Sequence, residues 1–218
     1  MFECVLFDLD GTLTDPALGI TNSIMYALGK MGREIPARES LYRFIGPPLV
    51  PSFCEFLGMS EEEAQDALRL YREYFSVKGL FENEVYPTIP YALEKIKDVG
   101  AKLLIATSKP EHYARQILEH FSLDKYFELI CGATMDEKRV KKADIISYAL
   151  ASAGVTDEKN DSVIMVGDRL HDVEGARANK ISSLGVLWGY GSRDELTDAG
   201  ADYVAANTDE MVKIILKK

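Results

Sequence analysis

The chain has 218 residues, of which 47% are hydrophobic and 28% are charged, so it has enough apolar material for a buried core and is not a disordered chain. Its 35 acidic and 25 basic residues give a net charge of −10, which disfavours nucleic acid and anionic lipid as partners. Three scattered cysteines form neither a disulfide framework nor a zinc-binding pair, and the N-terminal apolar run is too short for a signal peptide or a membrane span, so we expect a cytoplasmic protein that binds no membrane.

Buried strands and amphipathic helices alternate along most of the sequence. Apolar runs without polar alternation predict strands over 4–7, 103–107, 129–131, 163–167 and 184–188. Apolar residues at helical spacing predict helices that stop at Gly100 and Gly154. This order predicts an α/β fold, a Rossmann-like open parallel sheet with helices on both faces.

One long segment, 16–83, interrupts the alternation because it shows only helical patterns. Within it, Ser60 and Glu63 have the spacing of a capping box that precedes an apolar helical stripe. We therefore predict two domains, an α/β core formed by 1–15 and 84–218 and a small helical domain inserted between its two parts. The core then has about 150 residues, a normal size for one α/β domain.

Two acidic residues follow the first strand. The sequence DLDGT places Asp8 and Asp10 at the carboxyl end of a parallel sheet, where open α/β sheets bind ligands. Gly11 permits the turn that lets both side chains point the same way. Two carboxylates after a buried run need a proton or a cation to neutralise them, and a hard divalent ion would serve. An Asx-turn that merely ends the strand would use the same residues.

A second acidic motif follows the strand predicted over 163–167. Asp168 comes directly after this strand, and Asp172 lies four residues further on. Neighbouring parallel strands would bring Asp8, Asp10 and Asp168 into one cluster of oxygen atoms suited to Mg2+. The alternative is that Asp168 caps a helix and Asp172 complements the helix dipole.

Two further segments have features of a phosphate site. Thr107 and Ser108 end a strand, and Pro110 then opens a helix whose free N–H groups would accept an anion. Ordinary strand-to-helix turn chemistry would use these residues too. Lys141 and Lys142 precede another helix, where a cation opposes the helix dipole and calls for a compensating anion unless it is solvated.

These motifs, in this order, resemble those of the haloacid dehalogenase-like (HAD) hydrolase superfamily. DLDGTL resembles its nucleophile motif, ATS its second motif and GDRLHD its fourth, while the two adjacent lysines lie in the region of the third. The helical insert lies where the family places a small cap domain, and the IGPPL and WGYG segments are similar to the phosphoglycolate phosphatase group. The resemblance implies a Mg2+-dependent phosphatase that hydrolyses small phosphate monoesters through an aspartyl-phosphate intermediate.

The resemblance also implies a role for each acidic residue. Asp8 would be the nucleophile, and Asp10 would be the general acid and base. Asp8, Asp10 and Asp168 would bind Mg2+, with Asp10 contributing its backbone carbonyl. Separately from the resemblance, we assign Asp172 to orienting the metal site.

The phosphate and substrate contacts follow from the same resemblance. Thr107, Ser108 and one lysine would bind phosphate, and we favour Lys142 over Lys141 because it directly precedes ADII. The inserted cap would close over the ester group. Arg43 is a possible contact for an anionic leaving group such as glycolate, although a solvated arginine at a helix end would look the same.

Several alternatives stay open on the sequence. A 5'-nucleotidase, a pyrophosphatase and a sugar-phosphate phosphomutase of the same superfamily share most of the motifs, although phosphomutases usually have a hydrophobic residue where this chain has Thr12. A haloalkanoate dehalogenase would not need Asp10. A catalytically inactive sensor of phospho-ligands belongs to a different class of function. The predicted partner is a small phosphate ester rather than nucleic acid, and the sequence allows both a monomer and a homodimer.

Overall fold

The computed structural model describes residues 1–217, apart from the side chains of residues 157–159. Its contacts divide the chain into two compact units. The core unit comprises Met1–Asp15 and Val85–Lys218, and the insert unit comprises Pro16–Glu84. The second boundary lies one residue further along the chain than the predicted domain division.

The strands and α-helices follow one another in the order β1 (Cys4–Phe7), β2 (Thr14–Asp15), α1 (Ala17–Lys30), α2 (Leu49–Leu57), α3 (Glu61–Tyr74), β3 (Glu84–Val85), α4 (Ile89–Asp98), β4 (Lys102–Pro110), α5 (Glu111–His120), β5 (Leu129–Ala133), α6 (Lys142–Ser152), β6 (Val163–Gly167), α7 (Leu170–Ala178), β7 (Ser182–Val186), α8 (Arg193–Asp198), β8 (Tyr203–Ala205) and α9 (Thr208–Lys217). Within residues 1–217, none of these helices combines the length and the apolar character that crossing a membrane requires.

Six strands of the core unit form one sheet in the order β5-β4-β1-β6-β7-β8, and the neighbouring strands pair in parallel. The predicted α/β fold with an open parallel sheet is therefore confirmed. β1 lies in the middle, with Phe7 level with Ile105 of β4 and with Val166 of β6. The carboxyl ends of these three strands consequently meet at one edge of the sheet. The edge strand β8 was not predicted, because only three residues form it and its Tyr203 is exposed.

The core of this unit forms where helices pack on the central strands. All four residues of β1 are buried, as expected for a strand covered on both faces. One cluster joins Leu6 and Leu104 of the sheet to Ile145 and Ile146 of α6. Burying each of these aliphatic side chains contributes roughly 1.5–3 kcal/mol. The packing therefore holds the start of α6 next to the carboxyl ends of β1 and β4.

Several predicted helix ends are confirmed within one or two residues. α4 ends at Asp98, two residues before the predicted stop at Gly100, and α6 ends at Ser152 before Gly154. Pro110 is the last residue of β4, so it precedes α5 rather than forming its first turn.

The insert unit is helical, as the sequence pattern indicates. It contains α1, α2 and α3, together with a 3-10 helix at Arg38–Phe44 and a π-helix at Phe75–Gly79. The capping box at the start of α3 is confirmed: the Ser60 hydroxyl accepts from the Glu63 N–H at 3.2 Å, and the Glu63 carboxylate accepts from the Ser60 N–H at 2.8 Å. The short strands β2 and β3 pair with each other where the chain enters and leaves this unit.

Candidate active site

Three buried carboxylates meet at the carboxyl edge of the sheet. Asp8 follows β1 and Asp168 follows β6, while Asp172 lies in the first turn of α7. Each offers an oxygen atom that lies within 4.8 Å of the others. The structure therefore brings Asp8 and Asp168 together, as expected from neighbouring parallel strands, and adds Asp172 to the group. We call these three residues the carboxylate cluster.

Among the residues that the structure describes, Lys142 is the basic residue whose side chain enters the carboxylate cluster. Its Nζ lies 2.8 Å from Asp8 Oδ2 and 2.8 Å from Asp172 Oδ1, and it donates to the Ala106 carbonyl at 3.0 Å. Burial favours a lower pKa for Lys142, but Asp172 and Asp8 outweigh it and raise the pKa, so the ammonium stays charged. Lys141 is exposed. A lysine at the start of α6 opposes the helix dipole and was expected to need a compensating anion. Asp8 and Asp172 provide that negative charge.

The carboxylate cluster carries more negative charge than Lys142 can neutralise. Burial, and then the neighbouring Asp172, raise the pKa of Asp168 well above its ordinary value, although the Tyr190 N–H opposes the shift. Burial also raises the pKa of Asp172 to about 6, against the opposing effect of Lys142. Both shifts show a cost of gathering like charges away from water. Several buried carboxylate oxygens with an incomplete positive counterpart fit a hard divalent cation.

The Asp10 side chain was expected to join Asp8 and Asp168, but it is not one of the three clustered carboxylates and pairs with a second lysine instead. Its Oδ2 is 2.7 Å from the Nζ of Lys109, and both side chains are buried. The Oδ1 of Asp10 is buried and has no hydrogen-bond partner in the structure of residues 1–217. Burial raises the pKa of Asp10, Lys109 lowers it in part, and Asp8 raises it further. The carboxyl group is thus placed in an environment that favours its protonated form more than water does.

Lys109 was not singled out from the sequence, although it stands directly after the predicted phosphate-binding pair. The sequence carries no clear signal for it, because the apolar run ends before Lys109 and a lysine is rarely buried unless it is paired. Thr107 and Ser108 lie in the carboxyl-terminal part of β4, past its pairing with β1, and the strand continues to Pro110, three residues beyond the predicted end. Thr107 is buried, and its hydroxyl accepts from the Lys109 N–H at 3.2 Å, while Ser108 is partly exposed.

Two glycines allow the loop after β1 and the loop after β7 to approach Asp168. Gly11 has a φ of +79°, and a Cβ atom there would lie 2.3 Å from Asp168 Oδ2. A Cβ atom at Gly189 would lie 2.4 Å from the same oxygen atom. Any side chain at either position would therefore displace the Asp168 carboxylate.

The same two loops donate hydrogen bonds that fix Asp168. The Thr12 hydroxyl donates to Asp168 Oδ1 at 3.3 Å, and the Tyr190 N–H donates to Oδ2 at 2.8 Å. The loops are also joined to each other, because the indole N–H of Trp188 donates to the Thr12 carbonyl at 3.0 Å. The WGYG segment thus belongs to the surroundings of the site, a role that its sequence alone does not reveal.

Arg43 lies in the insert unit, at the last turn of the 3-10 helix. Its side chain is exposed, its guanidinium lies 4.5 Å from the centre of the Phe56 ring, and it donates to the Phe56 carbonyl at 3.1 Å. These contacts hold the guanidinium on the surface of the unit, and its contact with a leaving group stays a prediction.

Residues 5–186 match the family model described as haloacid dehalogenase-like hydrolase. The match spans most of the chain, so the chain belongs to this family. The predicted family, the α/β fold and the class of enzyme, a phosphatase, are confirmed.

Three relatives and one solved structure illustrate the similarity. A 5'-nucleotidase of Pseudomonas aeruginosa is 45% identical over 192 residues, which cover 88% of this chain and 86% of the relative. The tyrosine-protein kinase PtkA of Mycobacterium tuberculosis is 38% identical, covering 96% and 71%, and a phosphoglycolate phosphatase of Aquifex aeolicus is 29% identical, covering 97% and 95%. A crystal structure described as a predicted phosphatase from Clostridium acetobutylicum has a TM-score of 0.95 and 46% identity, with 100% of both chains covered.

Proposed function

We propose that the protein hydrolyses small phosphate monoesters with the help of Mg2+, through an aspartyl phosphate formed on Asp8. The observation that carries this proposal is the carboxylate cluster, in which three buried carboxylates meet one paired lysine. Such an arrangement is costly unless a ligand compensates it, and enzyme sites are where such costs occur.

The residues near Asp8 provide ligands for both a metal ion and a phosphate group. Asp8 and Asp168 would hold Mg2+ together with the backbone carbonyl of Asp10, and Asp172 would orient the site from beside Lys142. When bound, Mg2+ supplies positive charge that offsets the charge of the phosphate group. The Lys142 ammonium would stabilise the negative charge that remains on the phosphate oxygens. The hydroxyls of Thr107 and Ser108 would donate hydrogen bonds to the phosphate from the carboxyl-terminal part of β4.

In the first step, a carboxylate oxygen of Asp8 attacks phosphorus, and the bond from phosphorus to the ester oxygen breaks. Asp10 gives its proton to the departing alkoxide, which requires that this carboxyl group be protonated at the start. The raised pKa of Asp10, caused first by burial, favours that state. The step leaves a phosphoryl group on Asp8 and a carboxylate at Asp10.

In the second step, Asp10 takes a proton from water as the water oxygen attacks the phosphorus of the aspartyl phosphate. The bond between phosphorus and Asp8 breaks, which releases inorganic phosphate and restores both carboxyl groups. Dividing the reaction at a covalent intermediate replaces one difficult displacement with two easier ones. The Lys109 ammonium, 2.7 Å from Asp10 Oδ2, stabilises the carboxylate form between the steps.

We infer that the substrate is a small phosphate ester of the phosphoglycolate type. The relative named phosphoglycolate phosphatase supports this choice, and Arg43 offers a cation for an anionic leaving group. A 5'-nucleotide is the second candidate, because a relative named 5'-nucleotidase is 45% identical to this chain. In both cases the insert unit would act as the cap that excludes water from the reacting group, and the enzyme would work in the cytoplasm as a monomer or homodimer.

The test is release of inorganic phosphate, first from p-nitrophenyl phosphate with Mg2+ and then from a panel of metabolites. The panel contains 2-phosphoglycolate, 5'-nucleotides, pyrophosphate and sugar phosphates. We expect turnover that stops on chelation of Mg2+ and is not restored by Ca2+, whose looser coordination misplaces the nucleophile. A protein that binds phosphate esters without releasing phosphate would be a sensor, and one that isomerises a sugar phosphate would be a mutase.

Arg43→Ala separates the two substrate candidates. If glycolate phosphate is the substrate, the variant raises KM for it by more than for p-nitrophenyl phosphate. Arg33→Ala is the matched control, because it removes another arginine of the insert unit, paired with Glu63 at 2.7 Å. Equal effects of the two variants on every substrate would rule out a contact between Arg43 and the leaving group.

A further inference from the structure

Tyr190 makes two hydrogen bonds at or near the candidate site, one from its backbone to Asp168 and one from its side chain to Asp15. We propose that Tyr190 is a positioning residue, which holds the Asp168 carboxylate for metal binding because its phenol is anchored on Asp15. The inference rests on the proposed function, since it assumes that Asp168 binds the Mg2+ ion that the reaction needs.

The backbone contact sets the orientation of Asp168. The Tyr190 N–H donates to Asp168 Oδ2 at 2.8 Å, and the Thr12 hydroxyl donates to the other oxygen. Asp168 is almost completely buried, at 1% exposure, so its carboxylate depends on protein donors rather than on bulk solvent for its orientation. Groups that hydrogen-bond a metal ligand fix its direction, and losing them typically weakens metal binding by about 10- to 100-fold.

The side-chain contact fixes the donor itself. The Tyr190 phenol donates to Asp15 Oδ1, and Asp15 is the last residue of β2 and of the first part of the core unit. Burial and the Asp15 carboxylate raise the pKa of the Tyr190 phenol, so it remains protonated and remains a donor. Tyr190 is therefore held at both ends, by Asp15 at the phenol and by Asp168 at the amide.

Trp188 and Tyr190 together contact the short segment that follows the DLDGT motif. The chain runs from Thr12 to Asp15, and the segment from Trp188 to Tyr190 contacts both ends of that stretch. Because Trp188 binds the Thr12 carbonyl at 3.0 Å, the segment holds Thr12 as well as Asp168. Loss of the phenol anchor is thus expected to loosen both donors to Asp168 at once.

The test compares variants that remove the anchor with one that keeps it. Tyr190→Phe deletes only the hydroxyl, while the ring and the backbone N–H remain. We expect it to weaken Mg2+ binding, measured by isothermal titration calorimetry, by about tenfold. For p-nitrophenyl phosphate at saturating Mg2+, kcat should fall while KM stays within about twofold, because the proposed role of Tyr190 is to position Asp168 and not to bind substrate.

Variants at Asp15 test the anchor from the other side. Asp15→Asn keeps a carbonyl oxygen that accepts from the phenol, so Mg2+ binding should stay within about twofold of the wild type. Asp15→Ala should weaken it as much as Tyr190→Phe does. The double variant should be no weaker than either of these, because both remove one interaction.

Tyr203→Phe is the matched control, since Tyr203 lies on the edge strand and packs its ring on Phe2. It should leave Mg2+ binding unchanged. Unchanged Mg2+ binding in Tyr190→Phe, or additive effects in the double variant, would overturn the positioning role. A wild-type protein that binds Mg2+ but releases no phosphate from any ester would instead overturn the proposed function, while the calorimetry would still decide the role of Tyr190.

Discussion

The insert unit and the core unit each contain a network of polar side chains, and the two networks differ in charge balance. In the insert unit, Arg38 donates to Asn22 at 2.8 Å and also donates to Thr21. Glu82 accepts from Asn22 at 2.9 Å and from Tyr74 at 3.0 Å. One cation and one anion are thus joined through neutral groups, and most of these side chains are only partly buried.

The carboxylate cluster of the core unit is more deeply buried and is not balanced. Asp8, Asp168 and Asp172 share Lys142, and burial raises the pKa of Asp168 and Asp172. A balanced and half-exposed network stabilises the fold without a ligand, whereas a buried excess of one charge is unfavourable until a ligand completes it. This difference distinguishes a structural network from a binding site, and it can be tested.

The largest effect is expected at the nucleophile and at the acid. Asp8→Asn and Asp10→Asn should each lower kcat by at least about a thousandfold, because one removes the attacking carboxylate and the other the proton donor. Both proteins should stay folded, because Lys142 keeps Asp172 and the Ala106 carbonyl as partners in Asp8→Asn, and the amide oxygen in Asp10→Asn can still accept from Lys109. Asp198→Asn, at the exposed end of α8, is the matched control and should keep full turnover. An active Asp8→Asn protein would contradict the mechanism.

The next effect concerns stability without metal. Lys142→Met leaves Asp8 and Asp172 buried without their cation and should cost about 3 kcal/mol of unfolding free energy, measured by urea denaturation in EDTA. Arg38→Met in the insert unit should cost only about 1 kcal/mol, because its partners Thr21 and Asn22 are neutral and its own side chain is only half-buried. Equal losses in the two variants would show that the two networks do not differ in the way proposed.

The positions of the acidic residues were predictable because strand ends in a parallel sheet share an edge. Asp8 and Asp168 each follow an apolar run, and the register of β1 with β6 places them side by side. The choice between Lys141 and Lys142 needed coordinates. Successive residues of a helix differ by about 100° in direction, so which of two adjacent lysines enters a site depends on how the helix is rotated.

Other parts of the site were not predictable from local patterns. Lys109 lies in a strand whose apolar pattern ends before it, so its burial depends on the ion pair with Asp10. The contact between Asp15 and Tyr190 joins residues 175 positions apart, and no sequence periodicity relates them. The geometry of a site thus depends on long-range contacts that motifs do not encode, even where the motifs identify the reacting groups.

A smaller effect is expected in the pH dependence of the metal-free protein. The pKa of Asp172 is about 6 in the folded protein, above the ordinary value of about 3.9 for an unfolded chain. Between these pH values the folded state keeps a proton that the unfolded state has lost. The contribution of Asp172 to stability is therefore present at pH 4 and is lost as the pH rises through about 6.

Asp172→Asn removes this titration. As the pH rises from 4 to 7, the unfolding free energy of the variant should therefore gain about 2 kcal/mol relative to that of the wild type, measured by denaturation in EDTA.

Glu63 of the insert unit provides the opposite case. The Ser60 N–H and Arg33 lower its pKa, so its stabilising contribution is present at neutral pH and is lost as the pH falls through that lowered pKa. Glu63→Gln should therefore show a dependence of the opposite sign, and the same sign in both variants would contradict the comparison.

The smallest effect is expected at the capping box of the insert unit. Ser60→Ala removes the acceptor for the Glu63 N–H at the start of α3 and should cost about 1 kcal/mol of stability. Hydrogen exchange should speed up at the first turn of α3, and Ser76→Ala, at an exposed position of the same unit, is the matched control. Mg2+ binding should not change, because the lost hydrogen bond lies wholly within the insert unit. A Ser60→Ala protein with weaker Mg2+ binding would show that a balanced local network of the insert nevertheless contributes to the metal site of the core.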